Sequence, residues 1–370
     1  MIKNFESIRG VAALIVALYH LNIGAAFFPV IRNGYLFVDL FFVLSGFIMC
    51  AAYGSKINTI DGIRSFVIRR IGRLYPLLIF STLFFVIAAN AIVLAKRIAV
   101  SYGYAGVLNN PSALEYLVPT TSEVLATLTL THAMGIFDRL ILNTPSWSIS
   151  VEFYAYFLFA ALALLLKGRA RLIAFGVLSL VGFTVSVWAS TTVHECLKEG
   201  GCLSLTYDFG FARCVYSFCL GALAFYGSRM LPPNRIGLQI TAVSMVALLV
   251  WAVDAYPALA FAFPLAFTVL VLSICNDTGP LHYILKPKPL QILGERSYSI
   301  YLMHMPLLLL FENFAKRADG VLLNTIVLFL YVTTLIVVAG WTYKFIESPF
   351  RSAFNRFADR SVKLKASPAN

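Results

Sequence analysis

Two histidines stand in largely apolar segments: His20, with ten residues between it and Arg9, and His304, in GERSYSIYLMHMP at 294–306. Imidazole takes and returns a proton near neutrality. Two of them on different helices point to a shared polar centre, although each read alone serves as well as a structural histidine bonded between helices. Glu152, in PSWSISVEFYAYF, and Arg213, in YDFGFARCVYSF, are costly to bury unpaired, so they are expected to pair with each other. The functional reading of Glu152 is a carboxylate that orients a histidine or an acceptor hydroxyl. Asp39, in YLFVDLFFVLSGF, lies near a helix end and can reach toward water. Ser45 and Gly46 in that segment read as a close helix contact rather than a nucleophile. Arg70 and Arg73, in IRRIGRLYP with Arg69, share a helical face by their spacing. Forked guanidiniums bind phosphate well, and they equally anchor a helix to anionic lipid headgroups.

The elements that hold these residues are set by composition. Hydrophobic residues make up 60% of the 370-residue chain and charged ones 12%, and the mean hydropathy is +0.82. A water-soluble fold with that surface would aggregate. The apolar residues come in separated runs of roughly 17 to 23, enough to cross about 30 Å of hydrocarbon as helix. The expected fold is therefore all-α: a polytopic membrane protein with spans near 9–27, 36–53, 74–95, 147–166, 172–190, 207–226, 237–253, 256–275, 291–311 and 321–343. Lys3, Glu6 and Arg9 before the first run resemble the start of a signal peptide, but no small-residue cleavage site closes it and further spans follow. It reads as an uncleaved helix, with His20 roughly 16 Å along it from Arg9, near the midplane.

Net charge is +12, and the cations sort by side. With the N-terminus inside, the cytoplasmic loops receive Lys56, Arg64, Arg69, Arg70, Arg73, Lys167, Arg169, Arg171, Arg229, Arg235, Lys286 and Lys288, and the basic tail follows them. The opposite side has roughly a third as many, in the sense of the positive-inside rule. Both termini are expected in the cytoplasm, the basic residues facing membrane lipids rather than nucleic acid. A membrane domain fills 1–352 and a short solvated basic tail 353–370. The longest external connection, about 96–146, has turn residues Gly103, Gly106, Asn109, Asn110, Pro111 and Pro119. Its stretch 122–142 is apolar enough for a re-entrant or interfacial helix. Six cysteines show no zinc spacing, and no metal is expected. Only Cys196 and Cys202 share an external loop, where oxidation is open to them.

Taken in order, these segments resemble the bacterial acyltransferase-3 family of membrane O-acyltransferases, from Ser7 to about Arg351. The pieces are Arg9 and His20, VDLFFVLSGF at 38–47, Arg70 and Arg73 inside RRIGRLYP, PSWSISVEFYAYF at 145–157, Arg213 before Gly221, GERSYSIYLMHMP, and Glu347-Ser-Pro-Phe-Arg351. The resemblance implies ten helices with cytoplasmic ends in the bacterial inner membrane. It implies transfer of an acyl group, typically acetyl from cytoplasmic acetyl-CoA, to a hydroxyl of a periplasm-facing carbohydrate. His20 matches the position that family needs for catalysis, and Arg9, Arg70 and Arg73 match its other characteristic positions. Some relatives carry a periplasmic hydrolase-like domain after the membrane part; this sequence resembles the stand-alone type.

On that reading Arg70 and Arg73, helped by Arg69, hold the phosphates of acetyl-CoA or another acyl-CoA. His20 acts as base or transient acyl carrier, His304 as proton donor or oxyanion partner, and Glu152 orients the acceptor. The rival is a proton-coupled transporter or flippase for a lipid-linked sugar, in which His20, His304 and Glu152 relay protons.

Overall fold

The computed structural model describes residues 2–103, 114–232 and 235–366. Among them every regular element is helical, the economical solution in lipid, where backbone groups find no water and must bond within their own segment. The helices are α1 (Lys3–Leu21), α2 (Pro29–Arg32), α3 (Val38–Tyr53), α4 (Ile60–Ser101), α5 (Thr121–Leu128), α6 (Ser146–Leu165), α7 (Gly168–Trp188) and α8 (Cys196–Glu199). They continue with α9 (Gly210–Ser228), α10 (Ile236–Ala252), α11 (Phe263–Ile274), α12 (Pro280–Leu285), α13 (Lys288–Glu295), α14 (Ser297–Arg317), α15 (Gly320–Thr342) and α16 (Ser348–Ala366). Six helical stretches among the described residues are long and apolar enough to cross a bilayer; they begin at Gly34, Ile60, Ser146, Gly168, Pro257 and Gly320. The chain is thus a multi-pass membrane protein. The other runs read as spans fall on α1, α9, α10 and α14, which are shorter or more polar.

Helix contacts follow the small residues. A Cβ on Gly46 of α3 would collide with the Phe218 carbonyl of α9, and one on Gly221 of α9 with the Val43 carbonyl of α3. Bare backbone on both sides therefore fixes this crossing, the use foreseen for Gly46.

Several boundaries differ from the sequence reading. The first helix, expected to reach residue 27, ends at Leu21 because Asn22 takes the left-handed conformation (φ 59°) and returns its N–H to the Leu18 carbonyl. His20 consequently sits in the last turn. Helix α4 runs 42 residues rather than 74–95 alone, roughly 63 Å or twice the hydrocarbon thickness. Its Arg69 meets Asp359 at 2.5 Å, and Gly72 lies against the ring of Phe354. Both partners belong to α16, so the stretch from 353, expected as a solvated tail, continues as helix to Ala366 alongside α4. Residues 367–370 lie outside the described ones.

Helix α4 extends into 96–146 as far as Ser101, and among the described residues between it and α6 the one α-helix is Thr121–Leu128. The left-handed Leu130 (φ 57°), after which the Thr131 N–H returns to the Ala126 carbonyl, ends that helix, yet Leu130, His132, Ala133, Ile141 and Asn143 are buried. The Ser150 hydroxyl holds the segment: it accepts the Ala133 N–H at 3.3 Å and donates to the Leu130 carbonyl. Irregular backbone at depth is tolerated where protein surrounds it. Gly106, Asn109, Asn110 and Pro111 lie outside the described residues. Cys196 and Cys202 form a disulfide.

Candidate active site

A cavity of about 250 Å³ opens between α1, α3, α4, α6 and α14, lined by Arg9, Arg70, Arg73, Glu152, Tyr156 and Tyr301 among others. Along α3 it runs from Tyr53 to Phe41, roughly 18 Å of helix. A second cavity, of about 300 Å³, is lined by Lys3, Glu6, Arg9, Arg73, Gln291, Gly294, Glu295, Tyr343 and Arg351. Arg9 and Arg73 belong to both walls. Among the described residues no hydrogen bond or ion pair engages either guanidinium directly; Glu6 and Glu152 stand in the surrounding walls. Two neighbouring cations held apart from a carboxylate partner make a site that an anion stabilises.

The three arginines of α4 face different ways. Arg70 donates from Nη2 to the Tyr53 hydroxyl at 3.2 Å, and its guanidinium lies 5.3 Å from the Tyr53 ring centre and 5.7 Å from that of Tyr156. Its Nε is buried without a partner. Arg69 instead pairs with Asp359 and lines neither cavity. The helical turn that puts 70 and 73 on one face turns 69 away.

Glu152 does not meet Arg213. Its Oε1 accepts the Tyr156 hydroxyl at 2.6 Å, one helical turn on, and the Tyr156 oxygen accepts from Ser45 at 3.2 Å. The carboxylate therefore faces the cavity that holds the arginines. Arg213 pairs with Asp39, Nη2 to Oδ2 at 2.7 Å and Nε to Oδ2 at 3.0 Å. Ser217 donates to the other carboxylate oxygen at 2.7 Å, and the Tyr35 carbonyl accepts from Nη2 at 2.9 Å. Asp39 is fully buried rather than extended to water. This satisfied pair ties α3 to α9 and lines neither cavity.

The two histidines meet. His304 Nε2 lies 3.3 Å from His20 Nδ1, with ring centres 5.0 Å apart. His20 Nδ1 also faces the Val16 carbonyl at 3.0 Å, and His304 Nδ1 faces the Tyr301 carbonyl at 2.5 Å. His304 is buried. Tyr301 stands between cavity and pair: it lines the cavity, its hydroxyl bonds Ser148 at 2.8 Å, and its ring lies 5.7 Å from that of His304. No group of three or more metal-ligating side chains occurs among the described residues.

Sequence reasoning did not single out Tyr156, Tyr301 or the role of Glu347. Glu347 is buried, accepts from the Ser299 hydroxyl at 2.8 Å and lies 3.6 Å from Arg351. The Glu152–Tyr156 spacing was a signal open to reading, since residues four apart share a helix face. Nothing in the local sequence of Glu347 foretells Ser299.

A Bacillus subtilis protein named "Putative peptidoglycan O-acetyltransferase YrhL" is 28% identical over 398 residues, covering 97% of this chain and 56% of that protein. The Listeria monocytogenes peptidoglycan O-acetyltransferase OatA is 24% identical over 395 residues, covering 97% and 58%. The chain thus spans a little over half the length of these curated relatives. No solved structure matches it. The acyltransferase domain family matches residues 2–343, which includes the helices that line the first cavity and hold the histidine pair and all of the second cavity's lining but Arg351, and the chain belongs to that acyltransferase-3 family.

Proposed function

We propose that the protein transfers an acyl group, acetyl in the first instance, from a cytoplasmic acyl-CoA to a hydroxyl of a carbohydrate at the outer face of the bacterial cytoplasmic membrane. The observation that carries this reading is the pair of guanidiniums, Arg9 and Arg73, exposed to both cavities without a direct partner. Coenzyme A supplies the matching anions, its phosphates, and a slender pantetheine arm that suits the elongated cavity along α3. Arg70, stacked among rings, narrows that cavity; Arg69 is released from the phosphate role that the sequence suggested. Glu152, among the arginines, acts from the donor side rather than the acceptor side. The acceptor class follows the relatives' names, which give peptidoglycan.

In the reaction His20 takes the proton of the acceptor hydroxyl while its oxygen attacks the thioester carbonyl. The tetrahedral intermediate collapses, the C–S bond breaks, and the coenzyme thiolate recovers the proton from the imidazolium. The donor must pass Tyr301 to reach His20. Purified protein with radiolabelled acetyl-CoA and a peptidoglycan fragment tests the reading. Label should pass to the glycan, and His20→Gln should lower the rate about 10²- to 10⁴-fold. Undiminished transfer by that variant, or no labelled product from the native protein, rejects it.

A further inference from the structure

We infer that His304 is a positioning residue, which fixes His20 in the tautomer that leaves Nε2 as the reacting base. The inference rests on the proposed role of His20, and the argument is one of donors and acceptors. A carbonyl oxygen only accepts, so the 2.5 Å contact of His304 Nδ1 with the Tyr301 carbonyl places the proton on that nitrogen. A neutral imidazole has one N–H, which leaves His304 Nε2 bare. Buried at 0% exposure, this ring has no water to charge it. Its bare Nε2 then accepts from His20 Nδ1, 3.3 Å away. The Val16 carbonyl, 3.0 Å from the same Nδ1, also requires a proton there. Two carbonyls and one bare nitrogen thus give a single consistent assignment, and it ends with an unprotonated Nε2 on His20.

That Nε2 makes no hydrogen bond among the described residues and is not one of the buried, unpartnered polar atoms. The lone pair is therefore uncommitted and not fully enclosed. Reversing the tautomer would set a bare Nδ1 against the bare Nε2 of His304 and the Val16 carbonyl, three acceptors with no proton among them. The chain pays for the correct tautomer in advance, with a ring that need not touch the substrate at all.

Two measurements test this. In protein labelled with ¹⁵N-histidine, the two-bond proton–nitrogen pattern of His20, assigned by its loss in His20→Gln, should show protonated Nδ1 and bare Nε2; the opposite pattern overturns the inference. In the transfer assay, His304→Phe should lower kcat about a hundredfold with little change in donor KM. His304→Gln, whose carboxamide oxygen can accept the same Nδ1–H, should recover to within about tenfold of the native rate and keep the native pH–rate profile. A His304→Gln enzyme as slow as His304→Phe would make the ring a proton-transfer group and overturn the positioning role. If His20→Gln stays active, the base reading falls, whereas the tautomer measurement is unaffected by that result.

Discussion

A buried side chain is characterised by what remains unbonded around it. Asp39 and Arg213 satisfy each other and their neighbours, whereas Arg9 and Arg73 have no direct partner. Asp39→Asn would leave the Arg213 charge buried and uncompensated, a change worth about 3–5 kcal/mol. It should appear as a lower thermal midpoint in detergent, with donor KM of the remaining folded fraction unchanged. Arg73→Ala should raise donor KM at least about tenfold, the worth of one charge-assisted phosphate contact. Arg69→Ala, by contrast, should leave it within about twofold, since an exposed ion pair contributes little. The reverse order of these two effects would return the phosphate role to Arg69. The histidine pair was legible in the sequence because residue type and height along a helix suffice to bring His20 and His304 to one level. The Glu152–Arg213 pairing failed because height says nothing about azimuth: Arg213 points to α3, and Glu152 to its own Tyr156.

Helix ends carry their own chemistry. Thr120 and Glu123 cap α5 reciprocally, and the Thr120 backbone N–H, helped by its hydroxyl and by Arg139, holds the Glu123 carboxyl below the usual carboxylate range. A depressed folded pKa stabilises above the unfolded value, about 4.3, and that stabilisation is lost as pH falls through the folded value. Amide exchange over 121–128, corrected for intrinsic rates, should therefore accelerate as pH falls below the unfolded value. Glu123→Gln should remove that dependence, and its persistence would assign the acid sensitivity elsewhere. The Thr-x-x-Glu signal stood plainly in the sequence, as did the apolar runs. The early stop of α1 was not read there, because Asn22 and Gly24 stand inside the apolar run that set its end at 27. Nor was the length of α4, because its polar N-terminal turns pack against Phe354 and Asp359, distant in sequence.

At the scale of the whole molecule, sidedness is the property from which a transmembrane transfer follows. A Cys196–Cys202 disulfide is expected on an oxidising side, the side on which the distribution of Lys and Arg also predicts this loop. The free cysteines Cys50, Cys214, Cys219 and Cys275 are all buried. Cys196 and Cys202 are buried as well, so the test uses Lys198→Cys, at an exposed position of the same loop: an impermeant maleimide applied to spheroplasts should label that variant. Labelling seen only in permeabilised cells would invert the topology.

The double exposure of Arg9 and Arg73 bears on turnover as well as on binding. On the proposed reading, coenzyme A would leave with every phosphate that the donor brought, so contacts at these guanidiniums would hold product as firmly as substrate and do nothing to lower the chemical barrier. A cycle built this way is limited by departure. Free coenzyme should then inhibit competitively against the donor. Raising ionic strength from about 0.05 M to about 0.3 M should increase kcat while kcat/KM falls, because screening loosens the departing and the arriving anion alike. The enzyme would be tuned less by how fast it makes the ester than by how readily it lets the spent carrier go.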